Sequence, residues 1–486
     1  MIAAAGLLCL VPAGAQKAIG SGGEYVKSLL GFGAGDFAGR ELLGRPTDRS
    51  VTARVVPARP LELYAEWGAG TAGTYGRTTP PVAADASAAI DLVMDGLARD
   101  QDYSYRLRWR RPGAASFEAG PNRTFHTQRM PASTFTFDIQ ADPHLDDNSS
   151  ASVYTQALAN ERNDRPDFLV DLGDTPMSDK CSITNASWCG SPAQSASAVW
   201  SREALQRGFF DQVGHSVPVF LVLGNHDGET GWLGTPSPNN LFGWSLLARK
   251  TFFANPEPDG FYTGSTDEVP GYGRRQNYYA FEWGNALFVM LDPFGYTARK
   301  PGQGGDGWSW TLGQTQYRWL AQTLAQSRAR FKFVFSHHIV GGNGSEARGG
   351  AAFGRYFEWG GRNLDGSWAF DAQRPGWGVP IHQLLVDNHV NAWFHGHDHL
   401  YAMETLDGVV YQEVPQPSLS RYDTPNPAGD YGYQGTLGTD MFASSGHLRV
   451  TVSPTDAKVE YVRAVAPADE TATRRNAAVL HSYVMR

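Results

Sequence analysis

Cysteine is nearly missing from this chain: three residues in 486, at Cys9, Cys181 and Cys189. A disulfide-rich scaffold is excluded, and so is a zinc site built from four thiolates. Any metal chemistry therefore falls to histidine and carboxylates. Excess positive charge is missing too. The 41 Lys and Arg against 49 Asp and Glu give a net charge of −8, so no stable nucleic-acid partner and no polybasic attachment to anionic lipid is expected. Nowhere does the sequence offer the ~18 uninterrupted apolar residues of a membrane span, and no transmembrane anchor is expected. No internal repeat is found.

The apolar run Ile2 to Val11 is too short to cross a bilayer, and Ala13-Gly14-Ala15 before Gln16 has the small residues of a cleavage site. Residues 1–15 therefore read as a secretory signal that is removed, which implies a secreted or periplasmic protein. Cys9 would leave with the signal. Cys181 and Cys189 then remain as a pair, and an oxidising compartment favours a disulfide between them.

At about 150 residues per domain, the length suggests two or three domains. With 55 Gly, 29 Pro and 12% aromatics, long loops studded with rings are expected. Residues 16–42 are Gly-rich and read as a lead-in. From 43 to 130, short β-rich stretches separated by turn residues predict a small β-sandwich. They include Val51 to Val56, Leu61 to Trp67, Ala89 to Val93, Tyr103 to Trp109 and Arg123 to Thr127. From 131 to 486 strands and helices alternate in βαβ order, with a hairpin expected at Gly284-Asn285. Two connections, 228–276 and 339–380, exceed ordinary loop length and read as inserted functional loops.

Ligand-type residues stand just after apolar strands, where an α/β sheet presents its loops to a binding crevice. Asp142-Pro143-His144 follows the first strand, Gly173-Asp174 the second and Gly224-Asn225-His226-Asp227 the third. His337-His338 follows the fourth, and Gly396-His397-Asp398-His399 the fifth. Asp142, His144, Asp174, Asn225, His337, His397 and His399 make a donor set for divalent transition metals that one ion cannot exhaust. A bridging Asp174 would serve two. His338 and His395 should point away, because adjacent strand residues face opposite sides.

These ordered blocks resemble those of the calcineurin-like metallophosphoesterase superfamily over about residues 134–465. The resemblance implies a four-layer α/β/β/α sandwich. It also implies that Asp142, His144, Asp174 and His399 hold one divalent ion and Asp174, Asn225, His337 and His397 the other. The stretch Leu97 to Tyr105 resembles the late strands of a fibronectin type III-like domain, and such a module before the catalytic unit is similar to the arrangement in purple acid phosphatases. Those enzymes carry a ferric-ligating Tyr three residues beyond the Gly-Asp aspartate and no His in the first block. Here Met177 and His144 stand at those places, so Mn, Zn or Fe(II) is expected rather than a tyrosinate-bound ferric centre.

The reaction expected is hydrolysis of a small phosphate monoester by in-line attack of a metal-bound hydroxide, with a phosphodiesterase of nucleotide or phospholipid type as the alternative. His226 would protonate the leaving oxygen or stabilise the transition state, and Asp227 would hold its ring tautomer. Arg274, Arg275 and Arg348 in the long loops would clamp phosphate. Trp232, Trp244, Tyr272 and Trp308 would wall a pocket for the leaving group. A non-catalytic secreted binding protein that retains the crevice is the reading from another class, and loss of a ligand would favour it. None of the seven is missing. No Gly-x-Ser-x-Gly elbow supports a serine hydrolase.

Overall fold

The computed structural model describes residues 35–145, 149–180, 193, 195–301, 306–344, 346–425, 431–433 and 439–486. The expected signal segment, the paired Cys181 and Cys189, and the lead-in before residue 35 lie outside the described residues.

The first unit is all β. Phe37–Gly44 pairs antiparallel with Val51–Pro57, which pairs with Ile90–Met94. Facing them, Leu61–Ala69 pairs with Asp102–Arg110, which is flanked by Arg123–His126. Burial alternates strictly along Leu61–Ala69, the period-two pattern of a strand with one face inward. Leu43, Val51 and Val55 of one sheet meet Leu63, Trp67, Tyr105 and Trp109 of the other in a single core. The end of the expected lead-in is thus the first strand. Glu41 hid it: a carboxylate there reads as solvated, yet it is buried between Arg40 and Arg123.

Two larger sheets follow. Val219–Leu221, Phe168–Asp171 and Phe135–Gln140 run parallel at one side of a six-stranded sheet, completed by Gly446–Val452, Ala457–Arg463 and Val479–Met485. In the eight-stranded sheet, Ala286–Met290, Phe331–Phe335, Ala392–His395 and Val409–Glu413 are parallel neighbours. Phe137, Phe168, Phe220, Phe288, Phe333 and Phe335 fill the space between the sheets. Helices Ala151–Asp164 and Ala196–Phe210 cover the outer face of the six-stranded sheet, and Gly313–Gln326 and Ile381–Asp387 cover that of the other. Because both faces of the central strands are covered, they read as unbroken apolar runs. The resulting α/β/β/α order is the one expected from the motif blocks.

Local signals set the helix starts. Ser150 accepts from the Val153 amide, Ser195 from Ala198 and Asn240 from Gly243, each as an N-cap. The connection 228–276 carries the helix Leu241–Phe252, and 339–380 carries only short turns of helix. The β unit is fastened to the catalytic unit by Arg207, whose buried guanidinium donates to the carbonyls of Arg40, Arg54 and Phe252 and pairs with Asp211 at 2.7 Å. Tyr105 adds a hydroxyl bond to the His215 carbonyl at 2.6 Å.

Candidate metal centre

All five motif blocks leave the C-terminal ends of parallel strands on one edge of the sandwich. Asp142, His144, Asp174, His397 and His399 adopt left-handed φ values of 58°, 59°, 54°, 81° and 59°. Each such residue costs on the order of 1–3 kcal/mol and persists only where its surroundings enforce it. The enforcement is visible. Amides of Asp142 and His144 donate to the Gly173 and Asp174 carbonyls at 3.0 Å, and the His397 amide donates to Asp142 Oδ2 at 2.8 Å. Gly224 and Gly396 lie so close to the Asp174 and Asp142 carboxylates that a Cβ at either glycine would collide with them.

The side chains form two groups: Asp142 with His144 and His399, and Asp174 with His337 and His397. His399 Nε2 is 3.4 Å and His144 Nε2 3.6 Å from Asp142 Oδ1. His337 Nε2 is 3.1 Å from Asp174 Oδ2 and 3.8 Å from Asp142 Oδ1, which ties the groups together. Donor atoms about 2.1 Å from one ion stand about 3–4 Å apart, so these separations suit shared coordination. Asn225 Oδ1 and Asp142 Oδ1 are buried and accept no hydrogen bond among the described residues.

Hydrogen bonding fixes the tautomers of two of these histidines. His337 Nδ1 contacts the Leu172 carbonyl at 2.9 Å and His397 Nε2 the Glu346 carbonyl at 2.9 Å. A carbonyl only accepts, so those nitrogens carry the protons. The opposite nitrogens, 3.2 Å apart, then turn lone pairs toward each other and toward Asp174. Converging lone pairs beside a carboxylate call for a cation. Burial alone would depress the His337 imidazole, but the Asp174 and Asp142 carboxylates outweigh it and push it up to about 9, so without a metal ion a proton on Nε2 takes the place the ion would fill. Burial also disfavours the Asp142 carboxylate, yet His337 and His399 hold it well below the usual range. The residues present fit divalent metal binding.

His226 projects its ring over the same carboxylate, with Nε2 3.9 Å from Asp174 Oδ2. Its Nδ1 meets Asp179 Oδ1 at 2.7 Å. The partner of His226 is thus Asp179, and the expected role of Asp227 is corrected. Asp227 instead accepts the amides of Gly224, Asp174 and Thr175 at 2.7, 3.2 and 3.1 Å, which locks two motif loops together. Burial followed by the Asp174 charge pushes Asp227 up to about 8.

The arginines expected to clamp phosphate have protein partners. Arg275 is buried, donating to the Glu229 carbonyl at 2.7 Å beside Asp292, and Arg274 donates to the Pro258 carbonyl and pairs with Glu268. Among the described residues, neither has a crevice residue as a hydrogen-bond or ion-pair partner. Arg348 reaches the centre from behind: it donates to the His397 carbonyl at 2.7 Å and to Asp398 Oδ1 at 3.0 Å, anchoring the loop that carries His397 and His399. The aromatics expected to wall a pocket make loop contacts. Trp232 lies against Phe294 and Trp310, Trp308 bonds Asn363, Trp244 bonds the Pro238 carbonyl, and the Tyr272 carbonyl accepts from Lys250. His338 and His395 stay outside both groups as expected: one bonds the Ile339 carbonyl, the other stacks on Trp393 and pairs with Glu413.

A two-sheet sandwich with this donor set at its strand ends defines a metal-dependent phosphoric ester hydrolase. The calcineurin-like phosphoesterase family profile matches residues 135–401, more than half of the chain, and the chain belongs to that family. Among solved structures it is similar to PhoD, with a TM-score of 0.66 at 15% identity over 93% of this chain and 91% of that one. It is also similar to purple acid phosphatase PPD1 from yellow lupin (Lupinus luteus) seeds, with a TM-score of 0.58 at 14% identity over 91% of this chain and 73% of that one. At such identities the likeness is one of fold. No curated protein matches by sequence. Met177, buried with φ 49°, occupies the place the sequence comparison assigned to a tyrosinate.

Proposed function

We infer that Asp142, His144, Asp174 and His399 hold one divalent ion and Asp174, Asn225, His337 and His397 the second, and that the chain hydrolyses phosphate monoesters. The observation that carries this reading is the meeting of His337, His144 and His226 nitrogens at Asp174 Oδ2, at 3.1, 3.9 and 3.9 Å. Mn, Zn or Fe(II) bound there would supply Lewis-acid charge for the phosphoryl oxygens and lower the pKa of a coordinated water.

The protein's own residues do the rest. Asp174 sets the spacing of the two groups, and Asp227 and Arg348 fix the loops that present them. His226, oriented by Asp179, directs Nε2 at the crevice, where a proton can pass to the leaving oxygen; the Asp179 carboxylate stabilises the imidazolium that donates it. The apolar run Ile2 to Val11 supports export to the periplasm or medium, and no described helix is long and apolar enough to cross a membrane.

The test is kcat/KM for p-nitrophenyl phosphate beside bis(p-nitrophenyl) phosphate after loading with Mn, Zn or Fe(II). Faster monoester turnover is expected. Faster diester turnover would move the assignment to phosphodiesterase, and turnover of neither would favour a narrow substrate or a binding protein.

A further inference from the structure

A second polar cluster lies on the far face of the Phe135–Gln140 strand, between the six-stranded sheet and the helix Ala151–Asp164. Along that strand Phe137 and Ile139 point into the core between the sheets, so Asp138 and Gln140 point the other way, under the helix. Asp138 is fully buried there, and so is His447, from the neighbouring strand Gly446–Val452. Asp164 comes down from the last turn of the helix, and single donor atoms of the three residues lie within 4.8 Å of one another. His447 Nε2 is 2.9 Å from Asp164 Oδ2 and 4.0 Å from Asp138 Oδ2. Arg449 occupies the other oxygen of Asp164 at 2.7 Å, leaving Oδ2 to face the cluster.

Neither oxygen of Asp138 has a hydrogen-bond partner among the described residues. Glu161, one helical turn before Asp164 and equally buried, has none on either of its own. A buried carboxylate without donors is strongly disfavoured and must be neutralised. A proton on Asp138 is one way to do so, and a cation shared with Asp164 and His447 is another. Burial and the nearby Asp164 and Glu161 charges disfavour the ionised form further. A cation uses the unpartnered oxygens of Asp138 together with Asp164 Oδ2 and His447 Nε2, and leaves the ring proton on His447 Nδ1. Against Asp138, Asp164 and the nearby Glu161, Arg449 supplies one positive charge, and a divalent ion offsets the remainder.

We propose that Asp138, Asp164 and His447 bind a divalent first-row transition ion, separate from the catalytic pair, that staples the helix Ala151–Asp164 to the sheet. Two carboxylates with an imidazole select zinc or manganese over calcium or magnesium, which prefer oxygen alone. Binding at Nε2 would move the His447 ring proton to Nδ1 and replace the Nε2–Asp164 hydrogen bond with a metal bond to each. The helix follows directly on the loop carrying His144, so the staple also steadies one wall of the catalytic crevice.

The experiment is a metal count on the full chain, stripped with chelator, reloaded with excess Zn2+ or Mn2+ and desalted. Asp138→Asn and His447→Gln should each carry one equivalent less per chain than wild type, and reloading should raise their Tm less. An unchanged count, or an Asp138→Asn chain more stable than metal-loaded wild type, would overturn the proposal in favour of a protonated carboxyl. Should both variants fail to fold, a His144→Ala/His337→Ala/His399→Ala chain decides. With the crevice ligands removed it should still retain one equivalent, and retention of none overturns the site whatever the catalytic centre does.

Discussion

His226 Nδ1 and Asp179 Oδ1 lie 2.7 Å apart, although the two residues stand on different motif loops and 47 positions apart in the chain. The contact orients the ring whose other nitrogen faces Asp174, and it makes Asp179 a positioning residue for a proton donor.

Asp179→Asn should lower kcat by about 10–100-fold while KM stays within a few-fold, the usual cost of losing a group that orients a histidine. His226→Ala should cost about 10²–10⁴-fold. Both losses should be larger for an alkyl phosphate, whose leaving oxygen needs a proton, than for p-nitrophenyl phosphate, whose leaving group departs as an anion. Equal losses on the two substrates would remove the proton-donor role.

Gly396→Ala places a methyl group against the Asp142 carboxylate and Ala141. Crowding of this kind costs about 1–3 kcal/mol, and displacement of Asp142 should weaken metal binding about 10–100-fold. Activity titrated against added metal, beside a thermal melt, measures both. An Ala variant with the wild-type metal midpoint would show that the close approach is not needed.

Arg207 is the buried fastening between the β unit and the catalytic unit. Arg207→Leu leaves the Arg40, Arg54 and Phe252 carbonyls without their donor and should cost about 3–5 kcal/mol in a denaturant titration. Arg207→Lys should recover only part of this, since an ammonium cannot span the same carbonyls in a planar fork. A loss below about 1 kcal/mol would place the stability of the join in the apolar contacts of Leu42 and Val56 instead.

His215 sits at the same join and predicts acid sensitivity. Burial, followed by the Arg123 charge, depresses its imidazole from the usual 6.5 to about 4. The unfolded chain therefore binds a proton that the folded chain refuses between those values, and stability should fall as pH drops from 6.5 toward 4. The contribution is on the order of 3 kcal/mol. His215→Gln should flatten that part of the stability profile, and an unchanged slope would assign it to other groups.

The motif blocks are legible because each is short, contiguous and placed at a strand end, and the chain brings Asp142, His144 and His399 into one group and Asp174, His337 and His397 into the other. What sequence order does not encode is which loop folds over which. Asp227, adjacent to His226, was the natural partner by proximity, yet its carboxylate faces back into three amides, and the partner is Asp179 on another loop. Arg274, Arg275 and Arg348 read as clamps by charge and loop position; their carbonyl and carboxylate partners exist only in the folded chain. The hairpin Tyr401–Leu406 with Val409–Glu413 turns on Asp407-Gly408, both at positive φ. That dipeptide is a strong hairpin signal, masked by the motif block immediately before it.

The central claim is a metal-dependent hydrolytic centre organised on Asp174. It is tested most directly by stripping the wild-type and Asp174→Ala chains, reloading each with Mn, Zn or Fe(II), and following p-nitrophenyl phosphate hydrolysis with circular dichroism as the fold control. Wild type should lose turnover on stripping, keep its fold and regain turnover with at least one metal, while folded Asp174→Ala stays at least 10³-fold lower, on the order of the transition-state stabilisation such centres supply. Equal turnover of the two chains, or full turnover by the stripped wild type, would contradict the account.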